Sequence, residues 1–451
     1  MLTPPGRRPL SDADIHAFLY YGAAFNRADV RGGGPLLRGV ETADLRRWAA
    51  GATDSALVRE AAHRLNRAAD EALDAAGGGP HAVQLSGGYD SRTVLGALRD
   101  RLDVSEIATL TFGIPGAADV EIARQIARHV GTRHTELDVR DIAWSPDAVV
   151  EYVATAFAER PAALAVRRYT NYRLRETVGA SHTFWVGFLA CVGGSQLSAE
   201  PSPTWQAAVD RFTRRARHAK SVALAPSGWD PRSVFPDAPP VEPAAVSMDD
   251  QLDFAYRQAR LIEIPWSRYR DAYLLAQKPF VDFMLALPHE KRAGKQTVYR
   301  AMIARLYPDL AAFEAQGGRP PLAGFGVTAP ARTLRRVRRG LRRRLGRTAS
   351  EYMRYDYAEN LRGESDHRQT AWALTHGLVE REVVPHLDVP RLWADHTARV
   401  ADHSRALMLL ASLEANLRAM DTVSGSLPPP DSRPDVTEDN AGVGPPTDPT
   451  A

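Results

Sequence analysis

The sequence of 451 residues contains a single cysteine, Cys191, and lacks long apolar runs. One cysteine excludes an internal disulfide and any metal site built from several thiolates. No stretch reaches the roughly eighteen apolar residues that a membrane-spanning helix needs. No apolar segment follows Arg7 and Arg8 near the start, so a secretory signal is not expected. These absences predict a cytoplasmic protein.

Net charge is also low, because 57 basic residues nearly balance 54 acidic ones and leave +3. Nine arginines and no acid lie between Ala331 and Arg347. Subtracting these nine from +3 leaves −6 for the rest of the chain, so the basic charge is local. A helix over Arg332–Arg347 is predicted because apolar residues recur every third or fourth position: Leu334, Val337, Leu341 and Leu345. Its arginines fit a solvated face, an anionic membrane surface, or an acidic or nucleic-acid partner.

Strands and helices alternate from residue 80 onward. Four short runs are predicted to be strands: His81–Leu85, Glu106–Phe112, Arg133–Val139 and His182–Gly187. Helices of ten or more residues separate them, which indicates βαβ units and a parallel sheet. Such sheets bind ligands at the carboxyl ends of their strands. The sequence before the first strand and after residue 204 is predicted to be mainly helical. Ser11 is predicted to cap the first helix, and a long helix is predicted to begin at about Thr53.

The loop between the first strand and its helix reads Ser86-Gly87-Gly88-Tyr89-Asp90-Ser91. Adjacent glycines let backbone amides turn toward one point without a Cβ in the way of a phosphate. The helix that follows adds the positive end of its dipole, and the two serine hydroxyls can donate to phosphate oxygens. Asp90 would repel a phosphate directly, so its predicted role is to hold Mg²⁺. The alternative is a tight turn in which Asp90 only caps the helix.

This loop resembles the pyrophosphate-binding loop of the asparagine synthetase-like ligases, which include β-lactam synthetases and lasso-peptide cyclases. A second similarity runs from Thr109 through Phe112 and Asp119 to His134. A third runs from Lys278-Pro279-Phe280 to Lys295, Tyr299 and Arg300. The resemblance spans residues 80–320, and only the first motif is highly specific.

The resemblance implies an α/β fold of the adenine-nucleotide (PP-loop) hydrolase-like type with a large helical C-terminal portion. It implies that ATP and Mg²⁺ are bound and that a carboxylate is activated as an acyl-adenylate, which an amine then attacks to form an amide. Asp90 would bind the metal, and Lys295 would neutralise charge at the reacting phosphate; the alternative for Lys295 is a solvated loop lysine. The implied nucleotide-binding residues are Gln84, Leu85, Ser86, Gly87, Gly88, Asp90, Ser91, Phe112 and Gly187.

Two features depart from the family pattern. Asparagine synthetases begin with a glutaminase domain whose nucleophile is the cysteine after Met1, but here that residue is Leu2. The amine would then be free ammonia or part of a substrate. The glycine-rich segment after the fourth strand, residues 187–196, lacks its usual acid, and Cys191 takes that position. Cys191 fits an inert small residue, or a nucleophile for which only His182 is near in sequence.

Four parts of the chain are predicted on this basis. Residues 1–79 are a helical segment left from a lost glutaminase domain, 80–320 the ATP-binding synthetase domain, 321–425 a helical extension, and 426–451 a disordered tail. The expected partners are a small-molecule or peptide carboxylate and an amine, with a homodimer as an open alternative. Two rival functions remain: a catalytically degenerate nucleotide-binding partner subunit, and a PP-loop tRNA-modifying enzyme that grips RNA with its arginine helix.

Overall fold

A computed structural model describes most of the chain. The described residues are 10–25, 37, 39–156, 164–188, 190–258, 269–315, 321–322 and 356–425. The predicted arginine helix, Arg332–Arg347, and the predicted disordered tail, 426–451, both lie outside them.

The described residues form one five-stranded parallel sheet in the order β3-β2-β1-β4-β5. The strands are β1 His81–Gln84, β2 Ile107–Gly113, β3 Arg133–Asp138, β4 Thr183–Trp185 and β5 Arg270–Ala272. The chain builds outward from β1 to β3 and then crosses to the other side of β1 for β4 and β5. Consequently β1 and β4 flank the point where the strand order reverses, which is where such sheets bind ligands.

The predicted fold class is confirmed, and the four predicted strands correspond to β1 to β4. Strand β5 was not predicted, since it has only three residues and two of them, Arg270 and Asp271, are charged. Burial of Asp271 is accommodated by an ion pair of 2.7 Å with Arg175. The sequence around β5 therefore has no apolar pattern that predicts a strand, because Asp271 is buried through an ion pair with a residue far away in the chain.

The helices occupy both faces of the sheet and both ends of the chain. Those before β4 are α1 Asp12–Tyr21, α2 Ala43–Gly51, α3 Asp54–Ala76, α4 Tyr89–Arg99, α5 Ala118–Val130, α6 Pro146–Ala156 and α7 Ala165–Glu176. Those after β4 are α8 Trp205–Ala216, α9 Met248–Leu252, α10 Lys278–Ala286, α11 His289–Arg292, α12 Thr297–Leu306, α13 Pro308–Ala311, α14 Tyr357–Arg362, α15 Asp366–Glu380, α16 Val389–Thr397 and α17 Ser404–Gly425.

Local capping explains where the first helices begin and end. The Ser11 side chain accepts from the Asp14 backbone N–H while Asp14 accepts from Ser11, a complete capping box. Gly22 ends this helix with a left-handed backbone. Thr53 caps α3 through the N–H of Ala56. These contacts confirm the predicted helix starts at both places.

The sheet packs against one hydrophobic core on each face, because successive side chains of a strand point to opposite faces. Ala82, Leu110 and Phe184 belong to the core that α6, α7, α15 and α17 complete on one face. Val83, Leu85 and Trp185 belong to the core formed with α3, α4, α10 and α12 on the other face. Helices therefore cover both faces of the sheet, so polar side chains that contact a ligand are expected at the ends of the strands.

Within the described part of the chain, no helix has both the length and the hydropathy that spanning a membrane would require.

Candidate functional site

The loop after β1 lies at the carboxyl edge of the sheet, where the strand order reverses. Residues 85–88 connect β1 to α4, and Gly88 is the N-cap of that helix. No side chain caps α4, so the backbone N–H groups of its first turn have no side-chain acceptor from the N-cap. An uncapped helix start on a glycine turn is a ready anion-binding site.

The peptide groups on either side of Gly87 are held by two buried charged side chains. The Gly87 N–H donates to Oδ1 of Asp119 at 3.1 Å, and the Gly87 carbonyl accepts from Nη2 of Arg92 at 3.1 Å. Asp119 is 1% exposed and Arg92 is fully buried. A Cβ on Gly87 would lie 2.4 Å from Oδ1 of Asp119, so only glycine fits there. These two hydrogen bonds hold the peptide groups of Gly87 in one orientation.

Arg92 also ties the loop to the end of α13. Its guanidinium donates to the carbonyls of Leu310 and Phe313, at 3.2 and 2.9 Å, and to that of Glu314. Burial lowers the pKa of Arg92 to about 10, and these carbonyls compensate much of the cost of burying the charge.

The two loop serines bond to the loop itself in this structure. Oγ of Ser86 accepts from the Gly88 N–H at 3.1 Å, and Oγ of Ser91 accepts from the Ser86 N–H at 3.0 Å. The two hydroxyl oxygens are 3.0 Å apart. The two hydroxyls therefore lie side by side within the turn.

Asp90 lies where the ends of β1 and β4 meet α12. The Tyr299 hydroxyl donates to Oδ1 of Asp90 at 3.0 Å. Gly187 packs so closely that a Cβ there would be 3.0 Å from the carbonyl carbon of Asp90. The structure thus brings the first and third sequence motifs together at Asp90, and it places Gly187 beside them.

Lys295 lies on the turn that precedes α12, between Gly294 and Gln296, which both have positive φ. Its side chain is exposed and makes no hydrogen bond or ion pair with the described residues. Its catalytic role stays a prediction.

Three other predicted nucleotide-binding residues lie at the same edge of the sheet. Gln84 ends β1 and donates to Oδ1 of Asn171 at 2.8 Å. Leu85 is fully buried and Phe112, near the end of β2, is half-buried. Leu85 is a core residue, so any contact with a ligand would come from its backbone.

The segment after β4 is organised by Arg292 rather than by an acid of its own. Nε and Nη2 of Arg292 donate to the Val192 carbonyl at 3.1 and 2.9 Å. Gly194 has φ of +90°, and a Cβ there would be 2.6 Å from the Arg292 carbonyl oxygen. Tyr299 also lies against this segment, because a Cβ on Gly193 would be 3.0 Å from its ring.

Cys191 belongs to the 3₁₀ turn Ala190–Gly193, and its side chain lies outside the described part of the structure. His182 precedes the amino end of β4, whereas Cys191 follows the carboxyl end. Three strand residues at about 3.3 Å each separate those ends. The alternatives for Cys191, an inert small residue or a nucleophile, both stay predictions.

The side chains around the loop after β1 are compatible with Mg²⁺ bound together with a nucleotide. Among the described residues, no group of three or more His, Cys, Asp or Glu side chains could hold a metal. Mg²⁺ bound with a nucleotide uses one or two carboxylates and takes its other ligands from phosphates and water. A single Asp90 beside a glycine-floored turn fits that requirement.

Asp119 and Tyr299 lie in the sequence motifs without a predicted role, and Arg92 follows the loop without one. Asp119 is buried, and burying a carboxylate costs free energy unless it accepts hydrogen bonds. A buried acid beside a loop therefore indicates that the acid holds the loop, but the sequence does not reveal which acids are buried.

Residues 60–175 match the family model for asparagine synthase. Over these residues the chain is similar to asparagine synthases, which supports an ATP-dependent activity of the ligase or amidotransferase type. The match begins within α3 and ends in the last turn of α7, and it includes the loop and Asp119. A search of curated proteins found no match.

Proposed function

We propose that this protein is an ATP-dependent ligase that activates a carboxylate as an acyl-adenylate, releases pyrophosphate and forms an amide bond. The observation that best supports this is the uncapped start of α4 on the Gly87-Gly88 turn, with Asp90 in its first turn. The asparagine synthase match over the same residues supports the reaction class.

In this proposal the loop holds the leaving pyrophosphate. The Ser86 and Ser91 hydroxyls and the first-turn N–H groups donate to its oxygens, while Asp119 and Arg92 keep Gly87 in place. Asp90 would hold Mg²⁺, which when bound offsets the charge of the phosphates. Lys295 would contribute a cation from the turn before α12. Most of the rate gain would come from positioning and charge stabilisation.

Carboxylate-dependent conversion of ATP to AMP and pyrophosphate tests this function. We expect Asp90→Asn to lower that activity roughly 100-fold or more, since it removes the charge that holds the metal. Asp100→Asn is the matched control, because Asp100 is the exposed C-cap of the same helix. Equal AMP production by wild type and Asp90→Asn would exclude the assigned role of Asp90.

A nucleotide-binding subunit without turnover is the second candidate, favoured by the missing acid in residues 187–196. Such a subunit would bind ATP in a way that depends on Asp90, but it would release no AMP with any carboxylate tested. An RNA-modifying enzyme predicts RNA binding that weakens steeply with salt and is lost when Arg342, Arg343 and Arg344 are replaced by alanine.

A further inference from the structure

A second cavity, of about 280 Å³, lies between α2, the end of α10 and α11. Leu285, Leu287 and Pro288 form its apolar wall. Arg46, Asp250 and Arg292 are its charged groups. None of its lining residues belongs to the loop after β1, so this is a separate site.

Both carboxylate oxygens of Asp250 already accept hydrogen bonds from neighbouring side chains. Its two carboxylate oxygens accept from Nη1 and Nη2 of Arg292, each at 2.7 Å, and both side chains are 3% exposed. The Ser247 hydroxyl donates to Oδ2 of the same carboxylate at 2.5 Å. Asp250 therefore neutralises Arg292 and has little capacity left for a second arginine.

Arg46 is the charged group left without a carboxylate partner among the described residues. Its guanidinium makes one long hydrogen bond, from Nη2 to the Leu285 carbonyl at 3.3 Å. Partial burial also lowers the pKa of Arg46. The half-buried Arg46 side chain lines the cavity, and its guanidinium has only this one long hydrogen bond among the described residues. A carboxylate bound in the cavity would give it a second, charged acceptor.

We propose that this cavity binds a small aliphatic monocarboxylate, whose oxygen accepts from the guanidinium of Arg46 and whose apolar part lies against Leu285, Leu287 and Pro288. Two arginines and one aspartate leave one net positive charge in the wall, which matches a single carboxylate. A phosphate dianion would exceed that charge and would lie near the Asp250 carboxylate, so it fits less well.

The floor of the cavity connects to the candidate active site through a few contacts. Arg292, which pairs with Asp250, also donates twice to the Val192 carbonyl. The glycine after Val192 packs against Tyr299, which in turn donates to Asp90. A ligand that contacts Arg292 would therefore adjoin the segment that follows β4.

The test is a titration of the full chain, without ATP, with 4-methylpentanoate and with 4-methylpentylamine, followed by ligand-observed NMR. We expect the carboxylate to bind and the amine, which has the same apolar body and the opposite charge, not to bind. Arg46→Ala should raise the Kd for the carboxylate about tenfold or more, because it removes a charge-assisted hydrogen bond. Arg46→Lys should retain part of the affinity.

Arg47→Ala is the matched control, since Arg47 is the next residue on α2, has 80% of its side chain exposed and pairs with Asp44. It should leave the Kd unchanged. Asp90→Asn should also leave it unchanged, so failure of the ligase proposal would not affect this result. No carboxylate binding by wild type, equal binding of the amine, or equal loss of affinity in the Arg46 and Arg47 variants would each overturn the proposal.

Discussion

At the scale of single residues, the candidate site depends on a glycine with no space for a side chain. A Cβ on Gly87 would lie 2.4 Å from Oδ1 of Asp119, whereas a Cβ on Gly88 would meet only Oγ of Ser86, at 3.1 Å. The Ser86 hydroxyl can rotate away, but the buried Asp119 cannot move without losing its hydrogen bond.

We therefore expect Gly87→Ala to lower the free energy of unfolding by about 1–3 kcal/mol and to weaken ATP binding. Gly88→Ala should cost less than Gly87→Ala in stability. Urea denaturation and ATP titration of the two variants would check this. An equal loss of stability in both would show that Asp119 does not restrict the loop.

The pair of Tyr299 and Asp90 gives a second test at this scale. Tyr299→Phe removes the donor to Oδ1 of Asp90 and should change the Mg²⁺ concentration needed for half-maximal activity. Tyr307→Phe is the control, because the buried Tyr307 hydroxyl has no hydrogen-bond partner in the described part of the chain. It should leave the Mg²⁺ dependence unchanged. The same Mg²⁺ dependence in wild type and Tyr299→Phe would separate Tyr299 from the metal-binding role of Asp90.

At the scale of elements, helix α15 contains a histidine that folding keeps neutral. His367 is 1% exposed, and its ring centroid lies 4.4 Å from that of Trp144. Burial lowers the pKa of His367 to about 3. The unfolded chain should titrate near about 6.5. Between these values the unfolded state binds the extra proton, so stability is complete above about pH 6.5 and falls as the pH is lowered toward 3.

We expect His367→Leu to remove this dependence, which is on the order of 1.4 kcal/mol per pH unit inside that window. The measurement is urea denaturation of wild type and variant at pH 5 and pH 7. His376→Leu on the same helix is the control, since 59% of the His376 side chain is exposed. An unchanged difference between the two pH values in His367→Leu would contradict the prediction.

At the scale of the whole molecule, the last described helix completes a core that begins with the first strand. Helix α17 packs on α6, α7 and α15, and its apolar side chains join Ala82 and Phe184 of the sheet in one cluster. The part of the chain that matches the asparagine synthase model and the C-terminal helices therefore share one face of the sheet and depend on each other for burial.

Leu410 is a fully buried member of that helix. Leu410→Ala should lower the free energy of unfolding by about 2–5 kcal/mol, because it removes buried methyl groups and leaves a cavity. Val400→Ala, at a residue 73% exposed, should change it by no more than about 0.5 kcal/mol. Chemical denaturation checks both, and a similar small effect at the two positions would argue against a shared core.

The sequence by itself determined the local features: the alternation of strands and helices, the helix starts at Ser11 and Thr53, and the glycine turn that precedes Asp90. Those features depend on residues within a few positions of one another, so their pattern is legible in the chain. Only the tertiary structure decided the strand order, the short strand β5, and the partners of the loop. Asp119 reaches Gly87 across 32 residues and Tyr299 reaches Asp90 across 209. Contacts over such distances follow from how the helices pack on the sheet, and no local pattern specifies them.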